Sequence, residues 1–251
     1  MGRRPGEERN PYVNPDGGRP ASQDNDTSRI ETFSDGVFAI AITLLVIEIG
    51  VPHLGDDPEG TTLVGALVDR WPSYLGYVIS FLVIGTVWAN HHNRFRFIVR
   101  SDHVLLFLNT LFLMCVAFIP FPTALLAEYV REPEQRTTAV AVYSGTLAVT
   151  AVFFTALWLY AANNYRLVDR NLSPALLRSM TRRYVVGMAL YILAFALAFV
   201  NVVVTLLLIV GLALLFVLPE PGERPRKTPG SNEDTAKEDS GAETEKPDEL
   251  R

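Results

Sequence analysis

The sequence is poor in residues that several common chemistries require. One of its 251 residues is cysteine, Cys115, set inside an apolar run. That excludes a disulfide framework, a CxxC redox pair and a thiolate metal site, and leaves a small buried hydrophobe. The four histidines, His53, His91, His92 and His103, are too few for the histidine-box metal centre of a membrane oxygenase. No P-loop, nucleophile elbow or glycine-rich phosphate loop occurs in a polar segment. No basic arm is present either, because both ends of the chain mix charge signs, and this argues against a nucleic-acid partner. Lysine supplies only three of the 22 basic residues, a compositional bias in keeping with a GC-rich bacterial genome.

Uncharged apolar length is what the chain does have. Long runs cover 71–90, 104–126 and 138–162, and a 35-residue stretch covers Tyr184–Leu218. A run of roughly 18 or more such residues reads as a membrane span, so a soluble globule is excluded. Thirty-five residues of helix would measure about 52 Å against a hydrocarbon core of about 30 Å. Two spans are therefore expected there, at 183–200 and 202–218, turning at Asn201. A further span, 28–51, is apolar mainly from Val37 to Ile47 and carries Asp35 and Glu48. The fold class is then all-α, with six transmembrane helices.

Arginine placement orients them. Arg94, Arg96 and Arg100 lie in one connector, and Arg166, Arg170, Arg178, Arg182 and Arg183 in another, while the alternate connectors hold three arginines beside seven acids. The positive-inside rule puts the arginine-rich connectors and both termini in the cytoplasm of a bacterial inner (plasma) membrane. Trp71, Tyr74, Trp158, Tyr160 and Tyr165 fall near span ends, where amphipathic rings favour the interface. Residues 58–70 suit a short surface helix, and Pro120 and Pro122 should bend or end the third span. Residues 1–28 and 219–251, the latter with ten acids against six basic residues, cannot bury enough apolar surface to order and are expected to be disordered. The transmembrane domain is 29–218.

The first span carries the chemistry. An ionisable residue in a span must face protein or water, so Asp35 makes this an interior helix. At 100° per residue, Arg29, Phe33, Gly36, Ile40, Thr43, Leu44 and Ile47 fall within about 40° of one line, with Asp35 nearly opposite. Such a stripe is either a helix-packing face or the wall of a symmetric pore, and periodicity alone does not separate the two.

The segment RIETFSDG, Arg29–Gly36, matches the pattern R-x-x-x-F-S-D, and WANHHNRFRF matches a Trp-x-x-x-His segment at the end of the second span. Together they resemble the transmembrane protein 175 family, the potassium-permeable channels of lysosomes and endosomes with bacterial homologues, over roughly Arg29–Leu218. The resemblance implies a homotetramer with the first helix of each subunit lining the pore. It implies potassium as permeant ion, modest selectivity over sodium and no cofactor. By position it makes Ile40 the narrow apolar constriction, with Thr43, Leu44 and Ile47 as pore lining. It also places Arg29, Phe33, Ser34, Asp35, Trp88 and His92 in a structural hydrogen-bond network. The lipid bilayer, potassium ions and sister subunits are the expected partners, and no enzymatic activity is expected. The alternative is a proton-coupled secondary transporter or cation/proton exchanger using Asp35.

Overall fold

The computed structural model describes residues 21–52 and 62–217, with side chains described from Thr27 onward in the first helix. Regular structure among these residues is helical: α1 (Ala21–Ile47), α2 (Leu63–Asp69), α3 (Trp71–Phe95), α4 (His103–Phe118), α5 (Pro120–Tyr129), α6 (Arg136–Ala162), α7 (Pro174–Leu197) and α8 (Val202–Val217). Five stretches are long and apolar enough to cross a membrane: Thr27–Ile47, Trp71–Phe95, His103–Tyr129, Arg136–Tyr165 and Pro174–Leu197. The sixth expected span, α8, has 16 residues, about 24 Å of helix against a core of about 30 Å. The expected tail 219–251 lies outside the described residues. At the other end α1 starts at Ala21, inside the stretch expected to be disordered. Composition reports burial, not helicity, and a polar segment readily extends a helix already nucleated by an apolar run.

The breaks between spans follow local chemistry. Pro120 and Pro122 open α5 just after Ile119, where the third span divides into α4 and α5. Proline cannot donate to the preceding turn, so the break falls where the ring excludes a helical bond. Between α7 and α8, the Asn201 side-chain oxygen accepts from the amides of Val203 at 3.0 Å and Val204 at 3.1 Å. This is an N-cap. Asn201→Ala is expected to cost about 1 kcal/mol and to lower the melting temperature in detergent by roughly 2 to 4 °C, read by thermal unfolding.

The bundle is organised around α6, which packs on α4, α5, α7 and α8, while α1 packs on α3, α4 and α5. Its main apolar core joins Phe38 and Leu45 of α1 to Ile84, Phe112, Val140 and Ile209. At the arginine-rich end the two long connectors are tied together. Val99 and Arg100 both donate to the Leu167 carbonyl, Asp169 donates to that of Phe97, and Ile98 and Val168 form an isolated antiparallel bridge. Asp102 caps α4 through the Leu105 amide at 2.9 Å and receives the Tyr160 hydroxyl at 2.6 Å and Arg166 at 3.3 Å. Burial pushes the Asp102 carboxyl up, but those three donors outweigh it and hold the group below the usual carboxylate range.

Two side chains depart from their expected places. Trp158 is not an interfacial anchor: it is fully buried, and its indole N–H donates to Thr181 Oγ1 at 2.9 Å, joining α6 to α7. It stands near the end of the span, but its face points to α7, and a buried indole requires an acceptor. Arg94 belongs to α3, not to a solvated connector, and is fully buried. Its guanidinium donates to the Phe154 carbonyl at 2.7 Å and lies 3.3 Å from the centre of the Phe154 ring and 4.8 Å from that of Tyr184.

Candidate functional site

Burial along α1 follows the helical period. Ile30, Ser34, Phe38, Ala41 and Leu45 are at most 7% exposed, whereas Phe33, Ile40, Leu44 and Ile47 are 61%, 61%, 40% and 67% exposed. Arg29, Gly36 and Thr43 lie on the same exposed side. The chain's own fold therefore leaves uncovered the stripe singled out by spacing. The opposite face packs on α3 and α4, where the Phe38 ring lies 5.5 Å from His91 and 6.0 Å from Phe112. Thr43 Oγ1 donates to the Ile40 carbonyl at 2.9 Å. With its proton engaged on the backbone, the hydroxyl oxygen turns acceptor lone pairs outward.

The ends of the stripe are polar. Glu48 is exposed one residue beyond α1. There the chain turns through Gly50, whose φ of +63° is the left-handed conformation that favours glycine. Arg70 holds this turn, donating to the Ile49 carbonyl at 2.7 Å and, more weakly, to that of Val51 at 3.5 Å. The C-terminal end of α1 is thus pinned to the start of α3.

On the flank of α1 the expected network divides in two. In the first part, half-buried, the Trp88 indole donates to Asp35 Oδ1 at 2.8 Å, and His92 Nδ1 lies 2.7 Å from Glu31 Oε1. His92 does not reach Asp35. Helices α1 and α3 run antiparallel, so His92, one turn beyond Trp88, meets Glu31, one turn before Asp35. Arg29 is exposed and makes no hydrogen bond or ion pair among the described residues, and the Phe33 ring is exposed as well.

The second part is buried. Ser34 Oγ donates to the Ile30 carbonyl at 2.8 Å and accepts from Asn109 Nδ2 at 3.0 Å, while Asn109 Oδ1 stands 3.0 Å from His91 Nε2. An amide that donates through its nitrogen to Ser34 accepts through its oxygen, so His91 carries its proton on Nε2. Glu31, His91, Asn109 and the burial of Arg94 escaped the reading of the sequence. Asn109 offered a signal: it is the strongly polar residue in the apolar run VLLFLNTLFLMC, and an amide at that depth needs partners.

Five stretches long and apolar enough to cross a membrane define a multi-pass α-helical membrane protein. The family signature of the endosomal/lysosomal potassium channel TMEM175 covers residues 29–120. A potassium channel of Chamaesiphon minutus is 44% identical over 198 residues, spanning 79% of this chain and 97% of that protein. One of Streptomyces collinus is 47% identical over 182 residues, spanning 72% and 87%. A crystal structure of a lysosomal potassium-selective channel TMEM175 homolog from Chamaesiphon minutus superimposes with a TM-score of 0.70 at 44% identity, covering 77% of this chain and 97% of that one. The human endosomal/lysosomal proton channel TMEM175 is 33% identical over 138 residues, which make up 27% of its length. The chain belongs to the TMEM175 family of ion channels and is not an enzyme.

Proposed function

We propose that the chain forms a homotetrameric, potassium-permeable cation channel of a bacterial inner membrane, with six crossings per subunit and cytoplasmic termini. Four α1 helices surround the ion path. The observation that carries this reading is the uncovered α1 stripe, bounded by ionisable residues. Exposed apolar side chains also occur on α7, where Val186 is 50% exposed, so exposure alone would equally suit lipid. What distinguishes α1 is that its stripe starts at Arg29 and ends beside Glu48, both exposed, groups that lipid penalises and a water-filled axis accepts. Relatives named potassium channels support the choice of ion.

Ile40 forms the narrow ring, and Thr43, Leu44 and Ile47 continue the wall outward. No TVGYG loop is present in the sequence, so no carbonyl cage replaces the hydration shell of the ion. Selectivity for potassium then rests on the greater difficulty of dehydrating sodium at an apolar ring, and is modest. No cofactor is required. The second reading, proton coupling through Asp35, draws on the proton-channel name of the human relative. Purified protein in liposomes under an imposed voltage separates the two. A channel gives non-saturating potassium flux without a counter-ion, whereas an exchanger gives saturating flux tied to protons.

Thiol labelling tests the stripe. In a Cys115→Ser background, Thr43→Cys and Ile47→Cys are expected to react with small water-soluble thiol reagents and to lose most of their flux. Val186→Cys, also exposed but facing lipid, is expected to stay unmodified because the thiolate that reacts does not form in hydrocarbon. Equal labelling at all three positions would remove the pore assignment of α1.

A further inference from the structure

Where α6 ends and α7 begins, an open groove runs between the two helices. Its lining changes character along its length. Nearest the connector stand Asn163 and Arg178, the antiparallel register of the two helices puts Leu159 at the level between Arg178 and Arg182, and Val185 lies deepest. Leu159 and Val185 are 42% and 37% exposed. Arg178 and Arg182 are four residues apart on α7, so they share one face with their Cα atoms about 6 Å apart along the axis.

No acidic side chain among the described residues lines this groove. The Asp102 carboxylate already accepts from Tyr160, which lines the groove, and from Arg166. The Nε of Arg178 donates to the Pro174 carbonyl at 3.2 Å, while Arg182 has no hydrogen bond or ion pair among the described residues. The floor is rigid. The buried Trp158 indole donates to Thr181 Oγ1 at 2.9 Å, and Thr155 Oγ1 to the Tyr184 carbonyl at 3.3 Å, so α6 and α7 are bonded beneath the groove. Two guanidinium groups beside exposed aliphatic side chains, with Val185 deepest, match an amphiphile with an anionic head.

We infer that this groove binds an anionic glycerophospholipid of the leaflet on the arginine-rich side, its phosphate between Arg178 and Arg182 and its upper acyl chain along Leu159 and Val185. Guanidinium is the side chain best suited to phosphate, since its planar fork donates two parallel hydrogen bonds to two oxygens. Basic pockets between membrane helices on the cytoplasmic side bind such headgroups. The inference rests on the membrane-spanning reading but not on which helix lines the pore, and its test reads bound lipid, not flux.

The full chain in mild detergent is given equimolar phosphatidylglycerol and phosphatidylcholine, and retained lipid is counted by native mass spectrometry. The wild-type chain is expected to retain phosphatidylglycerol in roughly tenfold preference. R178Q/R182Q is expected to bring the ratio close to one with unchanged elution volume, and R178K/R182K to keep a preference because the charge remains. Equal retention by the wild type, or full preference in R178Q/R182Q, would overturn the proposal. The acidic tail is the rival occupant. A wild-type chain without preference that gains one when Glu233, Asp234, Glu238 and Asp239 are changed to their amides would assign the groove to the tail and overturn the lipid proposal as well.

Discussion

Ile40→Asn is expected to raise cation flux and to weaken the discrimination between potassium and sodium. Ile40 is 61% exposed in the single chain, so its packing within the subunit contributes little, and its environment is set by whatever faces α1. If that is an axis shared by four subunits, a ring of isoleucines closes the path by excluding water, and a polar side chain of similar size lets water in. Lowering the permeation barrier by about 1.4 kcal/mol gives a tenfold rise in flux, and an increase of at least that order is expected. Leu44→Asn and Ile47→Asn should act less, since the narrowest ring dominates the barrier. If the stripe were instead a dry packing face, the new amide would be buried without a partner at a cost of about 1 to 3 kcal/mol. Tetramer yield would then fall with ion preference unchanged. Potassium and sodium flux through the Ile40→Asn protein in liposomes decides, and reduced flux at wild-type selectivity would sink the assignment of Ile40.

That such an experiment can be framed from spacing reflects what sequence records well. Membrane-length runs are legible because lipid leaves helices few alternatives, and five of the expected crossings have helices of matching length. The turn at Asn201 was legible because one amide interrupts a long apolar stretch, and the α1 stripe because its burial has the helical period. What stayed hidden depends on rotation and partnership between helices. Nothing in HHNRFRF says that Arg94 points into the bundle while Arg96 is exposed. Nothing in FFTALWLY says that Trp158 faces α7. The pairing of His92 with Glu31 rather than Asp35 depends on the register of two antiparallel helices, a quantity that periodicity within one helix does not contain. Asn109 is the instructive case: its cost was visible, but its partners sit on two other helices.

Those partners set the largest stability effect expected here. Asn109→Ala removes the acceptor of His91 Nε2–H and the donor to Ser34 in one step. Ser34 keeps its bond to the Ile30 carbonyl, but His91, fully buried, is left with an unpartnered N–H. One such group costs about 1 to 3 kcal/mol, and the cavity left by the amide adds to it. Asp35→Asn is a milder change, because the amide oxygen still accepts from the Trp88 indole and the site is only half-buried. The expected order of melting temperature in detergent is therefore wild type, then Asp35→Asn, then Asn109→Ala, with the last lower than wild type by roughly 2 to 4 °C for each kcal/mol lost. Scans must share one heating rate, since unfolding of such assemblies is governed by rates as well as by equilibrium. A reversed order would move the structural weight onto the Asp35 carboxylate. An Asp35→Asn protein that melts like wild type yet loses the pH dependence of its current would make Asp35 a proton carrier, and the proton-coupled reading would replace the purely structural one.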